Sequence, residues 1–182
     1  MNYHNPVKYK FHHYRHDTQE DNSISNNAVI AITQDKQGFI WFGTDNGLNR
    51  FSPTTETFQH YFHQPQNSDS LSGNVITTML EDSEGNFWIG TYTKGLNRFD
   101  RKNNRFIRYR HNPNDTKSLG HHNVWCLYED SKKRLWIGLL GGGLDRFDRN
   151  SGTFIHYKHK PQDKKSLSHN KVSVILEDSR NN

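Results

Sequence analysis

Histidine is the residue best able to do chemistry in this chain, and it comes in a pattern. His13 and His16, His60 and His63, and His156 and His159 stand three residues apart in the stretches FHHYRH, FQHYFH and FIHYKH. Paired imidazoles suggest a metal site. On a strand, however, residues three apart point to opposite faces, so one such pair cannot grip one ion. Neither metal nor cofactor is expected. The run Gly141-Gly142-Gly143 suggests phosphate cradling, which needs a strand before the glycines and a helix after them. Here they lead into LDRF, another strand pattern. There is no G-x-S-x-G elbow. The recurring acids Asp35, Asp82, Asp130 and Asp178 open turns, where a carboxylate caps backbone amides. The chain is expected to be no enzyme.

Composition excludes other classes. Lys plus Arg number 24 against 19 Asp plus Glu, a net charge of +5, but bases and acids are mixed along the whole chain. A nucleic-acid binder concentrates its bases on one face. The aromatic–basic stretch FIRYRH resembles a single-strand platform, yet an edge strand needs rings and charges anyway, so no nucleic-acid partner is expected. Cys126 is the only cysteine and can form no disulfide within the chain. Nothing approaches the ~20 apolar residues of a membrane span. Residues 1–17 lack the apolar core of a signal peptide.

Positioning falls to a repeat. WFGTDNGLNRF at 41–51 returns as WIGTYTKGLNRF at 88–99 and WIGLLGGGLDRF at 136–147, so Trp41, Trp88 and Trp136 lie 47 and 48 residues apart. Such a period marks a stacked-repeat architecture. Each copy divides into four strands. The first is apolar on both faces (VIAITQD, ITTMLED, VWCLYED and, at 172–178, VSVILED) and so must be covered on both sides. After a turn of the type Asp35-Lys-Gln-Gly38 comes the tryptophan strand, with Gly43, Gly90 or Gly138 marking a bulge or close approach. LNRF or LDRF forms the third strand and the histidine stretch the fourth, polar as an outer edge should be. Lys133 replaces the turn glycine in the third copy, which predicts a different turn there.

Apolarity falls from first strand to fourth, as in a β-propeller blade running outward from a central channel. The expected fold is all-β, a single incomplete propeller domain over 1–182. Blades are expected at 29–63, 76–111 and 124–159, with an orphan outer strand at 11–16 and the inner strand of a truncated blade at 172–178. Three blades and part of a fourth do not close a ring of about 4–8. The implied partners are therefore further blades or a second copy of the chain.

Positions shared by all copies serve the blade, whereas positions that differ on loops of one face are free to meet a ligand. Loops between second and third strands supply Asp45, Asn46, Tyr92, Thr93, Lys94, Leu139 and Leu140. Leu139, in place of Thr44 and Thr91, is expected to present an apolar patch. The loops entering each blade end in Asn27, Asn74, His122 and Asn170. A small-molecule or oligosaccharide ligand is the expected partner of this face.

The pattern ED-x-x-G-x-x-W-I-G-T-x-x-G-L-N-R-F-D resembles the two-component regulator propeller repeat. The second copy matches from Glu81 to Asp100, the first carries Gln34 and Ser52 at its ends, and the third departs at Lys133 and Leu139. The resemblance implies a periplasmic sensor segment serving a histidine kinase or diguanylate cyclase. The lack of a signal peptide leaves a cytoplasmic or truncated chain open. The expected function is non-catalytic ligand sensing in bacterial signal transduction. The alternatives are an intracellular protein–protein scaffold and, more weakly, a polysaccharide-active propeller enzyme.

Overall fold

The computed structural model describes residues 12–180. Twelve strands form three four-stranded antiparallel sheets, each in sequence order. Blade 1 contains β1 (Val29–Gln34), β2 (Ile40–Thr44), β3 (Gly47–Ser52) and β4 (Thr57–Tyr61). In blade 2 are β5 (Ile76–Glu81), β6 (Phe87–Thr91), β7 (Gly95–Asp100) and β8 (Arg105–Tyr109). Blade 3 holds β9 (Val124–Glu129), β10 (Leu135–Leu139), β11 (Gly143–Asp148) and β12 (Thr153–Tyr157). This is a partial all-β propeller.

The core lies between blades. Trp41 and Leu48 of blade 1 pack with Ile76, Phe87, Ile89 and Phe99 of blade 2. One repeat later, Trp88 and Leu96 pack with Val124, Leu135, Ile137 and Phe147. Trp41 and Trp88 are fully buried. The strand glycines make room for this approach. A Cβ on Gly43 would lie 2.6 Å from Ile76 Cγ2, and one on Gly90 would lie 2.6 Å from Val124 Cγ1. The inner strands β1, β5 and β9 each carry a register shift opposite this region.

A hydrogen-bonded latch closes each seam. Asp35 Oδ2 accepts the Trp41 indole at 2.7 Å, while its Oδ1 accepts the amides of Gln37 and Phe39, both at 3.0 Å. Asp82 and Asp130 hold Trp88 and Trp136 in the same way, both at 2.8 Å. The following blade completes the latch. Arg101 reaches Asp35 at 2.9 Å and Glu81 at 3.2 Å. Arg149 reaches Asp82 at 2.7 Å and Glu129 at 2.8 Å. The same glutamates accept the preceding blade's turn amides, Glu81 from Lys36 and Glu129 from Ser83, both at 2.6 Å.

Three expectations need correction. The turn at Lys133 is not different: Lys133 adopts φ 60 and donates to Asp130 O at 2.8 Å, as Gly38 and Gly85 donate to Asp35 O and Asp82 O at 3.0 Å. The Asp130 carboxylate, bound to two turn amides and the indole, holds the lysine in a region that favours glycine. Residues 172–178 form no strand: Val172 N donates to Leu139 O at 3.0 Å, and no longer ladder follows among the described residues. Lys171 makes one bridge to Leu140, and Val174 and Leu176 are exposed. Of the orphan outer strand, Phe11 lies outside the described residues and 12–16 is not a strand. Even so, Tyr14 packs 4.9 Å from Phe51 and 5.8 Å from Phe58, as Tyr61 packs on Phe99 and Phe106 of blade 2.

Two outcomes are expected. A Cβ meets nothing at Gly38 or Gly85, so the lysine's cost is backbone strain, about 1–2 kcal/mol, against ~0.5–1 for glycine's extra freedom when unfolded. Lys133→Gly should therefore raise stability by roughly 0.5–1 kcal/mol in urea denaturation, and a loss would show that the lysine side chain contributes. The second concerns acid. Burial works to raise the pKa of Asp35 and Asp82, but the bonds from Trp41 and Arg101, and from Trp88 and Arg149, outweigh it and hold both below the ordinary value. Their contribution is complete above the unfolded pKa of about 3.9 and is lost as pH falls through the lower folded value. Arg149→Gln should cost about 1.5–3 kcal/mol at pH 7, and the difference from wild type should shrink in acid. A gap independent of pH would refute the ionic latch.

Candidate functional site

The repeated histidines are structural. Nδ1 of His16, His63, His111 and His159 bonds Ile24 O, Leu71 O, Leu119 O and Leu167 O at 2.7–2.8 Å, closing the loop into the next blade. The loop asparagines clamp the same histidines. Asn27, Asn74 and Asn170 Oδ1 accept the amides of His16, His63 and His159 at 2.8, 2.6 and 2.7 Å. His122 occupies this position in the remaining copy, and its ring instead stands edge-on to His111 at 5.4 Å. Among the described residues, no group of three His, Cys, Asp or Glu could hold a metal ion.

Both loop sets do share one face. Gly47, Gly95 and Gly143 donate to the carbonyls of Asn74, His122 and Asn170 at 2.8–2.9 Å. Asp45 and Asn46 are exposed there, and Asn46 Oδ1 accepts Asn74 Nδ2 at 3.3 Å. Tyr92 is exposed, and Thr93 sits at φ 65 with its amide on Asn123 Oδ1 at 3.0 Å. A left-handed β-branched residue is strained, and here one amide side chain holds it.

Leu139 is not part of this surface. It is fully buried at the end of β10, and Leu140 beside it is half-buried. Thr44 and Thr91 are buried at the same position, facing Ser25 and Ser72 hydroxyls at 3.2 and 3.3 Å. Blade 3 exchanges this polar pair for Leu139 and Gly120. The third member changes too: Asn49 and Asn97 bind Ser25 and Ser72, whereas Asp145 accepts Gly120 N at 2.6 Å and faces His156 Nδ1 at 2.6 Å. Burial pushes the Asp145 carboxyl above its usual range, against the opposing pull of His156 and the Gly120 amide. This Asp–His pair offers no free base, since His156 Nε2 is held by Thr116 O at 2.9 Å.

One cleft gathers part of the expected set. Thr93, Lys94 and His122 line a cavity of about 450 Å³ with His63, Arg108 and Arg110. Asn46 lines the corresponding cleft of blade 1, about 270 Å³, with Asp17, Glu20, Asp21, His60 and Phe62. Asp45, Tyr92, Leu140, Asn27, Asn74 and Asn170 line neither. Arg108 and Arg110 escaped the sequence reading because they lie on and just beyond the outer strand β8, where charge is ordinary. The signal available was the comparison of copies: His60 and Phe62 stand at their positions in blade 1.

Stacked four-stranded antiparallel blades joined by a repeated tryptophan–aspartate seam define a β-propeller. Residues 23–46, 70–93 and 118–141 each match the two component regulator propeller family. It is similar to the extracellular domain of the hybrid two component system BT3049 from B. thetaiotaomicron, with 32% identity and a TM-score of 0.74. The match covers 83% of this chain and 21% of that one, so the chain spans about a fifth of that domain's length. PorZ of Porphyromonas gingivalis (19% identity, TM-score 0.58, 83% and 23% covered) shares the fold. So does virginiamycin B lyase of Staphylococcus aureus (16%, 0.54, 76% and 45%). No curated protein matches the chain.

Burial lowers the pKa of His122, and His111, Lys94 and Arg110 lower it further. Lys94→Gln should therefore raise the His122 midpoint in a ring-proton NMR titration by a few tenths of a unit. An unmoved midpoint would place the Lys94 charge outside the cleft.

Proposed function

We propose that the chain is a non-catalytic, ligand-sensing propeller segment of the periplasmic part of a bacterial two-component or diguanylate cyclase sensor. The observation that carries this is the likeness to the BT3049 extracellular domain through three regulator propeller repeats. The loop face supports it. Its shared residues are consumed in clamps, and exposed residues that differ between copies, Asp45, Asn46, Tyr92, Thr93, Lys94 and His122, remain to meet a small molecule or oligosaccharide. The remaining loop positions, Asn27, Asn74, Asn170 and Leu140, act by holding this face in shape.

Catalysis is the weaker alternative. The buried carboxylates Asp35, Asp82 and Asp130 are engaged by indoles and turn amides, and His156 has both ring nitrogens occupied. A general base needs a free lone pair within reach of substrate. An interaction scaffold would use the same face for a protein, and ligand screening separates it from a sensor.

The test is thermal-shift screening against oligosaccharides and small metabolites. A ligand at a hundredfold excess over its Kd adds about 2.7 kcal/mol, or roughly 5–10 °C for a chain of this size. Tyr92→Ala with Lys94→Gln should abolish the shift, and the ligand should be recovered unchanged. Turnover of the ligand would defeat the non-catalytic assignment, and a panel without a stabilising member would defeat sensing of these classes.

A further inference from the structure

The two equivalent clefts of blades 1 and 2 share their walls and differ in charge. Each is closed by the same histidine, His16 or His63, bound to a loop carbonyl, and by a buried serine, Ser25 or Ser72. The remaining positions change together. His60 becomes Arg108 and Phe62 becomes Arg110, while the β2–β3 turn residue Asn46 gives way to Lys94 in the longer β6–β7 turn. Asp17, Glu20 and Asp21, which line the first cleft, have the uncharged Gln64, Asn67 and Ser68 at their positions in the next repeat. One cleft is lined by acids and the next by cations, on one scaffold.

The cations of the second cleft are uncompensated. Arg101, Arg149, Arg105 and Arg134 form ion pairs, but among the described residues Arg108, Arg110 and Lys94 form none. Asp69 is the one carboxylate that acts on Arg108, and it does so from beyond ion-pair distance. Arg108 is nevertheless fixed. Its Nε donates to Ser70 O at 2.7 Å, and Nη2 donates to Asn67 O at 2.7 Å, Ser70 Oγ at 2.8 Å and Leu71 O at 3.1 Å. That leaves Nη1 for a ligand. Lys94 is steered by Gly73, where a Cβ would come within 2.6 Å of Lys94 Cγ. One guanidinium held in place beside two exposed cations suits an oxyanion, whose charge-assisted bonds are about twice as strong as neutral ones.

We propose that the blade 2 cleft binds an oxyanion, a carboxylate, sulfate or phosphate group, through Arg108 Nη1, Arg110 and Lys94, with His63 and His122 at its rim. This deepens the sensor reading by naming the ligand's chemistry, and it rests on that reading only for its biological use.

Histidine-ring NMR on the full chain tests it, at constant ionic strength with chloride as the reference anion. The probes are inorganic sulfate, inorganic phosphate, galacturonate and the neutral control galactose. Sulfate, phosphate or galacturonate should shift the His63 and His122 signals saturably while His16 and His60 stay in place. The tighter of free ion and sugar acid identifies the source of the group. Lys94→Gln with Arg110→Gln, both exposed and with no side-chain hydrogen bond among the described residues, should weaken binding at least tenfold. Shifts spread over all histidines, shifts retained in the double variant, or galactose matching galacturonate would overturn the assignment. A neutral sugar that stabilises the chain without moving His122 also overturns it and leaves sensing intact. Saturable sulfate binding lost in the double variant upholds it even where no metabolite supports sensing.

Discussion

One carboxylate organises each repeat. The aspartate after the inner strand binds two amides of its own turn and the indole of its own tryptophan, and Asp35 and Asp82 also take an arginine from the next blade. It thereby fixes turn, strand and seam at once. An acid buried as fully as Asp82 would be costly alone. With an indole N–H, two amides and a guanidinium converging on it, the charged form is favoured. The apolar packing of Trp41 and Trp88 supplies attraction, which is non-directional, while the carboxylate supplies angle and register. Strand glycines then let the next inner strand approach, so seams repeat with the same geometry.

The latch also distinguishes the blades. Blades 2 and 3 carry Arg101 and Arg149 with Glu81 and Glu129, all aimed at the preceding blade. Blade 1 has Pro53 and Gln34 at those positions. It can offer no guanidinium to an aspartate in front of it, whether that aspartate belongs to another repeat or to Asp130 of a second copy. Asp130 meanwhile takes Arg134 from its own turn. Apolar surface on β1, with Ile30 and Ile32 exposed, gives such a meeting attraction without the ionic register of the inner seams.

The fold was legible because a blade is repeated in the sequence, and repetition separates scaffold from decoration. Trp41, Gly43, Gly47, Leu48 and Phe51 recur: Trp41, Gly43 and Leu48 lie in the seam, Gly47 starts β3, and Phe51 packs on Tyr14 and Phe58. What escaped was whatever depends on partners distant in sequence. The latch arginines lie 66 and 67 residues from their aspartates, and nothing local marks them. Leu139 misled for a related reason. A Thr-to-Leu change reads as an exposed apolar patch until Gly120 and Asp145 are seen to change with it, converting a buried Ser–Thr–Asn cluster into a packed leucine beside an Asp–His pair. Lys133 misled because the turn is set by Asp130, not by the residue at its fourth position.

The same separation decides where chemistry remains. Polar groups on a propeller's loop face first satisfy the backbone, because loop carbonyls and amides near the seams cannot be left unpaired. The repeated histidines, asparagines and serines are spent in this way and have little to give a ligand. A position is released only when its structural partner is supplied otherwise. At Arg108 the outer-strand site keeps its contact to the loop carbonyls through Nε and Nη2 and gains a further donor. At His122 the asparagine clamp is given up and an imidazole faces the cleft. Arg108 on β8 and His122 on the loop entering blade 3 open on one cavity, beside the strained turn at Thr93. Three independent relaxations of the repeat converging on one cleft set that cleft apart from the others, and they do so without disturbing the seams on either side of blade 2.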